Sequence, residues 1–242
     1  TLIKILGGVQ ACDGGELAID GRPARFDAPR QALAAGIVVI PQEMQLVAAA
    51  SVAENVTIGA WPTRRWLGVL PGLDRRRMHE RAGAALARLD FAPPLGARVD
   101  SLSFAERQLV AIARALCHQA RVLILDEPTA SLEQREAERL FATLAALKAS
   151  GVGIVFVSHR LDEVVRLADR CTTLRDGRVV DTSARGAIEA ERLVRLMTGR
   201  DLAELHRPHR LDFGAEKLAY ADGRRDIAVR DGETVGLAGL LG

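Results

Sequence analysis

The sequence predicts an α/β fold built around a parallel sheet. First, three wholly apolar, β-branched runs occur in order: GIVVIP (Gly36 to Pro41), RVLILDEP (Arg121 to Pro128) and GVGIVFVSH (Gly151 to His159). Such runs are the pattern of strands buried on both faces. Second, the last two are separated by a helical stretch, Glu133 to Ala149, with Leu140, Leu144 and Leu147 on one side. That is the arithmetic of a βαβ unit. Third, each run ends in polar residues, and ligands of open parallel sheets sit at the carboxyl ends of the strands.

Taken along the chain, TLIKILGG reads as a helix ending at a glycine pair, with Leu2, Ile5 and Leu6 on one face. ELAIDGRP (Glu16 to Pro23) alternates like a short strand entering a turn at Asp20-Gly21. After GIVVIP, helical and irregular sequence is expected to about Gln119. Within it, Ser103 and Glu106 have capping-box spacing, and Leu109, Ile112, Ala113 and Leu116 follow at helical spacing, so Ser103 is expected to start a helix. A further helix is expected around Leu193 to Met197. GRDLAELHRPHRLDFG (Gly199 to Gly214) is polar and broken by Pro208, as in a linker, and IAVRDGETVGLAGLLG (Ile227 to Gly242) reads as strand, Asp-Gly turn, strand and glycine-spaced loop.

At 242 residues the chain is long enough for one large domain, or one domain and part of another. With 48% hydrophobic but only 4% aromatic residues, the interior must be aliphatic. A net charge of +2 argues against a broad footprint for nucleic acid or anionic membrane. Arg64, Arg65 and Arg75 to Arg77 flank Trp61 and Trp66 and read as a solvated helix face and loop. Cys12, Cys117 and Cys171 match no zinc spacing and suit free, mostly buried thiols in a reducing compartment. No apolar run approaches the ~18 to 20 residues of a membrane span, and the start is unlike a signal peptide. The expectation is a cytosolic chain whose membrane role needs a partner.

Four groups carry candidate chemistry. Asp126 and Glu127 end a buried strand, where one carboxylate could hold magnesium through water and its neighbour, pointing the other way, could deprotonate an attacking water. An acidic strand-end turn gives the same pattern. Free amides at the helix start after Ser103 favour phosphate, although Ser-x-x-Glu also merely caps helices. His159, just past a strand, could donate to a phosphate oxygen or position water, though a lone histidine commonly does neither. Gln42, with Glu43 after GIVVIP, could reach a metal or water.

Together PQE, LSFAERQLVAIARAL, VLILDEPTASL, VSHRLDEV and LRDGRVV resemble the ATP-binding cassette (ABC) ATPases across nearly the whole chain. The resemblance implies a P-loop NTPase (RecA-like) parallel-sheet core with a small antiparallel β part and an inserted α-helical subdomain, at about 48–119. It implies ATP and magnesium as cofactors, with Glu127 as general base and His159 as switch histidine. Thr1, Gln42, Ser103, Ala105 and Asp126 would line the nucleotide, and Gln42 and Asp126 would approach the metal, partly through water. ATP would lie between two cassettes.

IPQE, SVAENVTIG, LDRRRM, SHRLDEVVRLADR, LVRLMTGR and ETVGLAGLLG resemble the tandem-cassette branch that energises bacterial monosaccharide import, of ribose, galactose or xylose type. Nucleoside importers and a soluble, non-transport cassette ATPase are the alternatives. The importer reading implies transmembrane permease subunits, a second cassette in the same chain or a second ATPase copy, indirectly a periplasmic sugar-binding protein, no nucleic acid, and a peripheral place on the cytoplasmic face of the inner membrane. The domains expected are a first nucleotide-binding domain at 1–200, a linker at 201–215 and the start of a second such domain at 216–242.

The sequence departs from the family pattern in three places. The phosphate-binding loop G-x-x-x-x-G-K-[ST] would precede Thr1, so a fragment is expected that alone neither binds ATP tightly nor turns it over. LSFAERQ places Phe104, Ala105 and Glu106 where LSGGQ-like sequence is usual, and Ala130 to Glu133 replace Ser-Ala-Leu-Asp.

Overall fold

The computed structural model describes residues 1–66, 70–198, 214–221, 226–231 and 235. The chain divides into two compact units, Thr1–Cys171 with Thr182–Ala190, and Thr172–Asp181 with Glu191–Gly242.

In the first unit, α1 (Leu2–Leu6) ends at Gly7, as its glycine pair predicts. β1 (Leu17–Ile19) and β2 (Arg22–Ala24) form a hairpin whose two turn residues, Asp20 (φ 51°) and Gly21 (φ 73°), both adopt the left-handed conformation that a tight two-residue turn requires. After α2 (Pro29–Ala34), the three apolar runs become β3 (Ile37–Ile40), β6 (Val122–Asp126) and β7 (Gly153–Val157). They form one parallel sheet in the order β3-β6-β7.

β6 alternates between two cores. Leu123 and Leu125 join the larger cluster, whereas Ile124 packs with Phe26, Ala32 and Ile37 on the other face. All three β6 leucine and isoleucine side chains are fully buried, each stabilising by about 1.5 to 3 kcal/mol relative to exposure. β7 departs from the expectation of burial on both faces. Ile154 and Phe156 pack on the larger core, but Val155 and Val157 are more than a third exposed. β3, at the other end of the three-strand order, packs Val38 and Val39 against the two cores, so the exposure belongs to one face of β7 rather than to its place at an end of the order.

The segment between β3 and β6 is mainly helical: α3 (Val52–Thr57), α4 (Arg75–Ala87) and α5 (Phe104–Cys117) pack pairwise. It also contains an antiparallel hairpin, β4 (Thr63–Trp66) with β5 (Leu70–Leu73). Arg64 and Arg65 therefore belong to a strand rather than a helix face or loop, while Arg75, Arg76 and Arg77 form the first turn of α4. α6 (Gln134–Ala149) buries Leu140, Leu144 and Leu147 as its spacing predicts, and α7 (Leu161–Leu167) follows β7.

β8 (Arg170–Arg175) and β9 (Arg178–Ala184) form a hairpin turning at Asp176-Gly177. In the second unit, α8 (Ala190–Thr198) places Arg192 3.0 Å from Asp181. β10 (Glu216–Ala221) pairs antiparallel with β11 (Asp226–Arg230), the latter matching the expected strand at Ile227. The expected linker and the glycine-spaced loop lie almost wholly outside the described residues. Among the described residues, no helix is long and apolar enough to cross a membrane.

Candidate functional site

The register of the parallel sheet assembles the site. Ile40 stands opposite Leu125, and Asp126 opposite Val157. Gln42, the pair Asp126 and Glu127, and the pair Ser158 and His159 therefore leave the sheet at the same, carboxyl-terminal edge. With neighbouring strands ~4.8 Å apart, that edge gathers residues more than a hundred positions apart in sequence.

Strand alternation stops at Asp126. Glu127 has φ of 47°, a left-handed conformation uncommon for a residue with a Cβ, and its amide donates to the Val157 carbonyl at 2.8 Å. This backbone twist, rather than strand alternation, aims its side chain. The Glu127 carboxylate lies 3.1 Å from His159 Nδ1. A ring that donates from Nδ1 has Nε2 as an acceptor when neutral and as a second donor when protonated. The pair can thus accept a proton from water and hold an oxygen-rich group beside it.

The turn after Glu127 is clamped. Gln108 Nε2, from α5, donates to the Pro128 carbonyl at 2.7 Å, and the Thr129 hydroxyl donates to Glu163 at 2.6 Å. Pro128, Thr129, Gln108 and Glu163 are all buried. Gln108, Thr129 and Glu163 are not among the candidate residues that the sequence singles out. Nothing in the sequence sets Glu163 or Gln108 apart from other polar residues; only their burial and contacts distinguish them.

Ser103 caps α5 as expected. Its amide donates to Glu106 at 2.8 Å, and the Glu106 amide donates to its hydroxyl at 3.2 Å. Ser103 is exposed, and with Ala105, Glu106, Leu132 and Glu136 it lines a cavity of about 160 Å³. Ser103 and Ala105 share no hydrogen bond or ion pair with Glu127 or His159 among the described residues. Gln42 lies exposed in the bend after β3, and exposed Thr1 precedes α1, its carbonyl accepting from the Ile5 amide.

Asp126 and Gln42 supply hard oxygen donors, the type magnesium takes. Among the described residues, no three acidic, histidine or cysteine side chains cluster tightly enough to hold an ion by themselves. One carboxylate at the end of β6 and one amide past the end of β3, on the same edge of the sheet, suit an ion that keeps its waters and is carried largely by phosphate oxygens.

A parallel sheet with helices and small antiparallel sheets is the architecture of the ATP-binding cassettes of known structure. The family described as ABC transporter matches residues 1–130, and the chain belongs to that family. Among curated relatives, it is 48% identical over 250 residues to the ribose import ATP-binding protein RbsA 2 of Rubrobacter xylanophilus, covering 100% of this chain and 47% of the relative. It is 40% identical over 250 residues to the protein of the same name from Escherichia coli O157:H7, covering 100% of this chain and 48% of the relative. The chain thus spans about half the length of the curated relatives it matches. Among solved structures, a nucleotide-free ATP-binding cassette from an ABC transporter superposes with a TM-score of 0.68 at 23% identity, over 85% of this chain and 81% of that one. A cassette in its ADP conformation superposes with a TM-score of 0.69 at 23% identity, over 82% of each. At that identity the likeness establishes the fold.

Proposed function

We propose that this chain is part of the ATPase that energises a bacterial ABC importer of monosaccharides, of the ribose type that its relatives' names describe. The observation that carries the reading is the Glu127–His159 pair, 3.1 Å apart at the carboxyl edge of the sheet beside Asp126. In it Glu127 takes a proton from the attacking water, and His159 fixes the carboxylate and faces the transferring phosphate. Asp126 and Gln42 would hold magnesium, which supplies charge neutralisation at the phosphates when bound. The amides at the start of α5, after Ser103 and through Ala105, would meet the phosphates of a nucleotide held by an opposing cassette. Thr1 would border the nucleotide that this cassette itself holds.

On this reading 1–200 forms one nucleotide-binding domain, 201–215 a linker and 216–242 the start of a second. The partners are transmembrane permease subunits at the cytoplasmic face of the inner membrane, a second cassette and, indirectly, a periplasmic sugar-binding protein. The test is Glu127→Gln in the full-length protein. Turnover should fall roughly 10²- to 10⁴-fold, the contribution of general-base catalysis, while nucleotide binding persists. Unchanged steady-state hydrolysis removes Glu127 from this role.

A further inference from the structure

Glu163 is 2% exposed, and a buried carboxylate is expensive unless its oxygens are well paired. One oxygen, Oε2, accepts from the Thr129 hydroxyl at 2.6 Å and the Ser158 hydroxyl at 3.1 Å. The other, Oε1, has Arg160 Nε at 3.1 Å as an ion pair but makes no hydrogen bond. A purely structural site of this kind is commonly served as well or better by apolar packing. What the carboxylate touches gives it a use.

Thr129 lies two residues after Glu127, and Ser158 and Arg160 are the residues on either side of His159. The Ser158 hydroxyl also accepts from the Arg160 amide at 3.0 Å, closing a small ring around the histidine. The same carboxylate therefore grips both loops that present the Glu127–His159 pair. Gln108 holds Pro128 from the side of the helix that Ser103 begins, so the turn Glu127–Thr129 is fixed between α5 and α7.

We propose that Glu163 is a positioning residue for hydrolysis: through Thr129, Ser158 and Arg160 it holds the carboxylate of Glu127 and the ring of His159 in register with each other. The inference rests on the ATPase reading above. It makes the buried pairings of α7 part of the reaction without contact to nucleotide. A misplacement of about 1 Å at reacting groups can cost ~100-fold in rate, and loss of a supporting hydrogen bond commonly costs about 10- to 100-fold.

The test uses the full-length protein with Glu163→Gln, Thr129→Val and the double variant, beside wild type and Glu127→Gln. Glu163→Gln keeps the size of the side chain but presents an amide to Arg160. Its kcat should fall about 10- to 100-fold with KM for ATP within about twofold. Thr129→Val should lower kcat in the same direction. The double variant should lose less than the product of the two single losses, because both changes act on one carboxylate that couples the same two loops. If Glu163→Gln does not fold, Thr129→Val alone carries the test through the same split of kcat from KM. The proposal is overturned if folded Glu163→Gln turns over within twofold of wild type, or if the two losses multiply in the double variant. It is equally overturned if Thr129→Val leaves kcat unchanged. A wild type without Glu127-dependent turnover instead overturns the ATPase reading, and this inference with it.

Discussion

Two helices of the inserted segment begin with the same four-residue device and use it differently. Ser51 to Glu54 opens α3, and Ser103 to Glu106 opens α5. In both, the serine amide donates to the glutamate at 2.8 Å and the glutamate amide donates to the serine hydroxyl at 3.2 Å. The surroundings differ. At α3 the next two amides are already committed, Val52 to the Ala97 carbonyl at 2.9 Å and Ala53 to the Leu95 carbonyl at 3.0 Å, and both residues are fully buried. At α5 the serine is exposed beside an open cavity. The local pattern decides that a helix starts; the packing around it decides whether its amides serve the fold or remain open to a ligand.

The sharpest way to break this comparison is to place a negative charge at each start. Aspartate caps a helix about as well as serine, so helix formation is largely preserved. Facing phosphate, however, a like charge ~4 Å away costs about 4 kcal/mol at an effective dielectric constant near 20, which is on the order of 100-fold or more in rate. Ser103→Asp should therefore cut ATP turnover of the full-length protein at least about 100-fold, and Ser51→Asp should leave it within about twofold. Equal losses at the two positions, measured by steady-state hydrolysis, would show that the α5 start is not a phosphate site.

The second prediction sharpens the structural side. Asn55, fully buried one turn into α3, donates to the Val47 carbonyl at 2.9 Å and accepts from the Val47 amide at 2.8 Å. Arg114 of α5 donates to its side-chain oxygen at 3.0 Å, to its carbonyl at 2.8 Å and to the Gln45 carbonyl at 2.7 Å. Asn55→Ala strands several buried partners and should cost about 3 kcal/mol in denaturant unfolding, since each unsatisfied group costs about 1 to 3 kcal/mol. A loss below about 1 kcal/mol would mean that water takes over these partners.

These contrasts mark what the sequence could say. β3, β6, α5 and α6 were legible because apolar runs, leucine spacing and a capping box are local signals. The β4–β5 hairpin was not, since Leu-Pro-Gly-Leu in β5 carries two residues that strands disfavour. Nor was the partial exposure of Val155 and Val157, which depends on what packs across the sheet. At the site, Glu127 and His159 could be read from their place at strand ends, but the left-handed backbone that brings them together could not, because glutamate gives no hint of it. Glu163 and Gln108 stayed hidden because a buried polar residue and an exposed one look alike in sequence.

The smaller effects concern the capping serines themselves. Ser51→Ala and Ser103→Ala should each cost about 1 kcal/mol of stability, within about 0.5 kcal/mol of each other, because the two boxes share both backbone contacts and differ only in the further donation of the Ser51 hydroxyl to Glu54 at 2.7 Å. Chemical unfolding of both variants measures this. A clearly larger loss at Ser51 would mean that its tertiary setting, rather than the cap, carries the stabilisation.

The last and smallest effect is the pH dependence of the α3 box. The Ser51 hydroxyl, and next the Ser51 amide, hold the Glu54 carboxyl below the usual glutamate range, with burial opposing them. A carboxyl lowered in the folded state stabilises above its unfolded value, near about 4.3, and that stabilisation is lost as pH falls through the folded value. Ser51→Ala removes the largest cause of the lowering, the hydroxyl, and leaves the amide of residue 51 in place. The stability gap between wild type and Ser51→Ala should thus be constant near neutrality and shrink as pH drops below about 4. A gap that widened in acid would assign the opposite sign to the Ser51–Glu54 contact, and the α3 start would then be held by its buried neighbours alone.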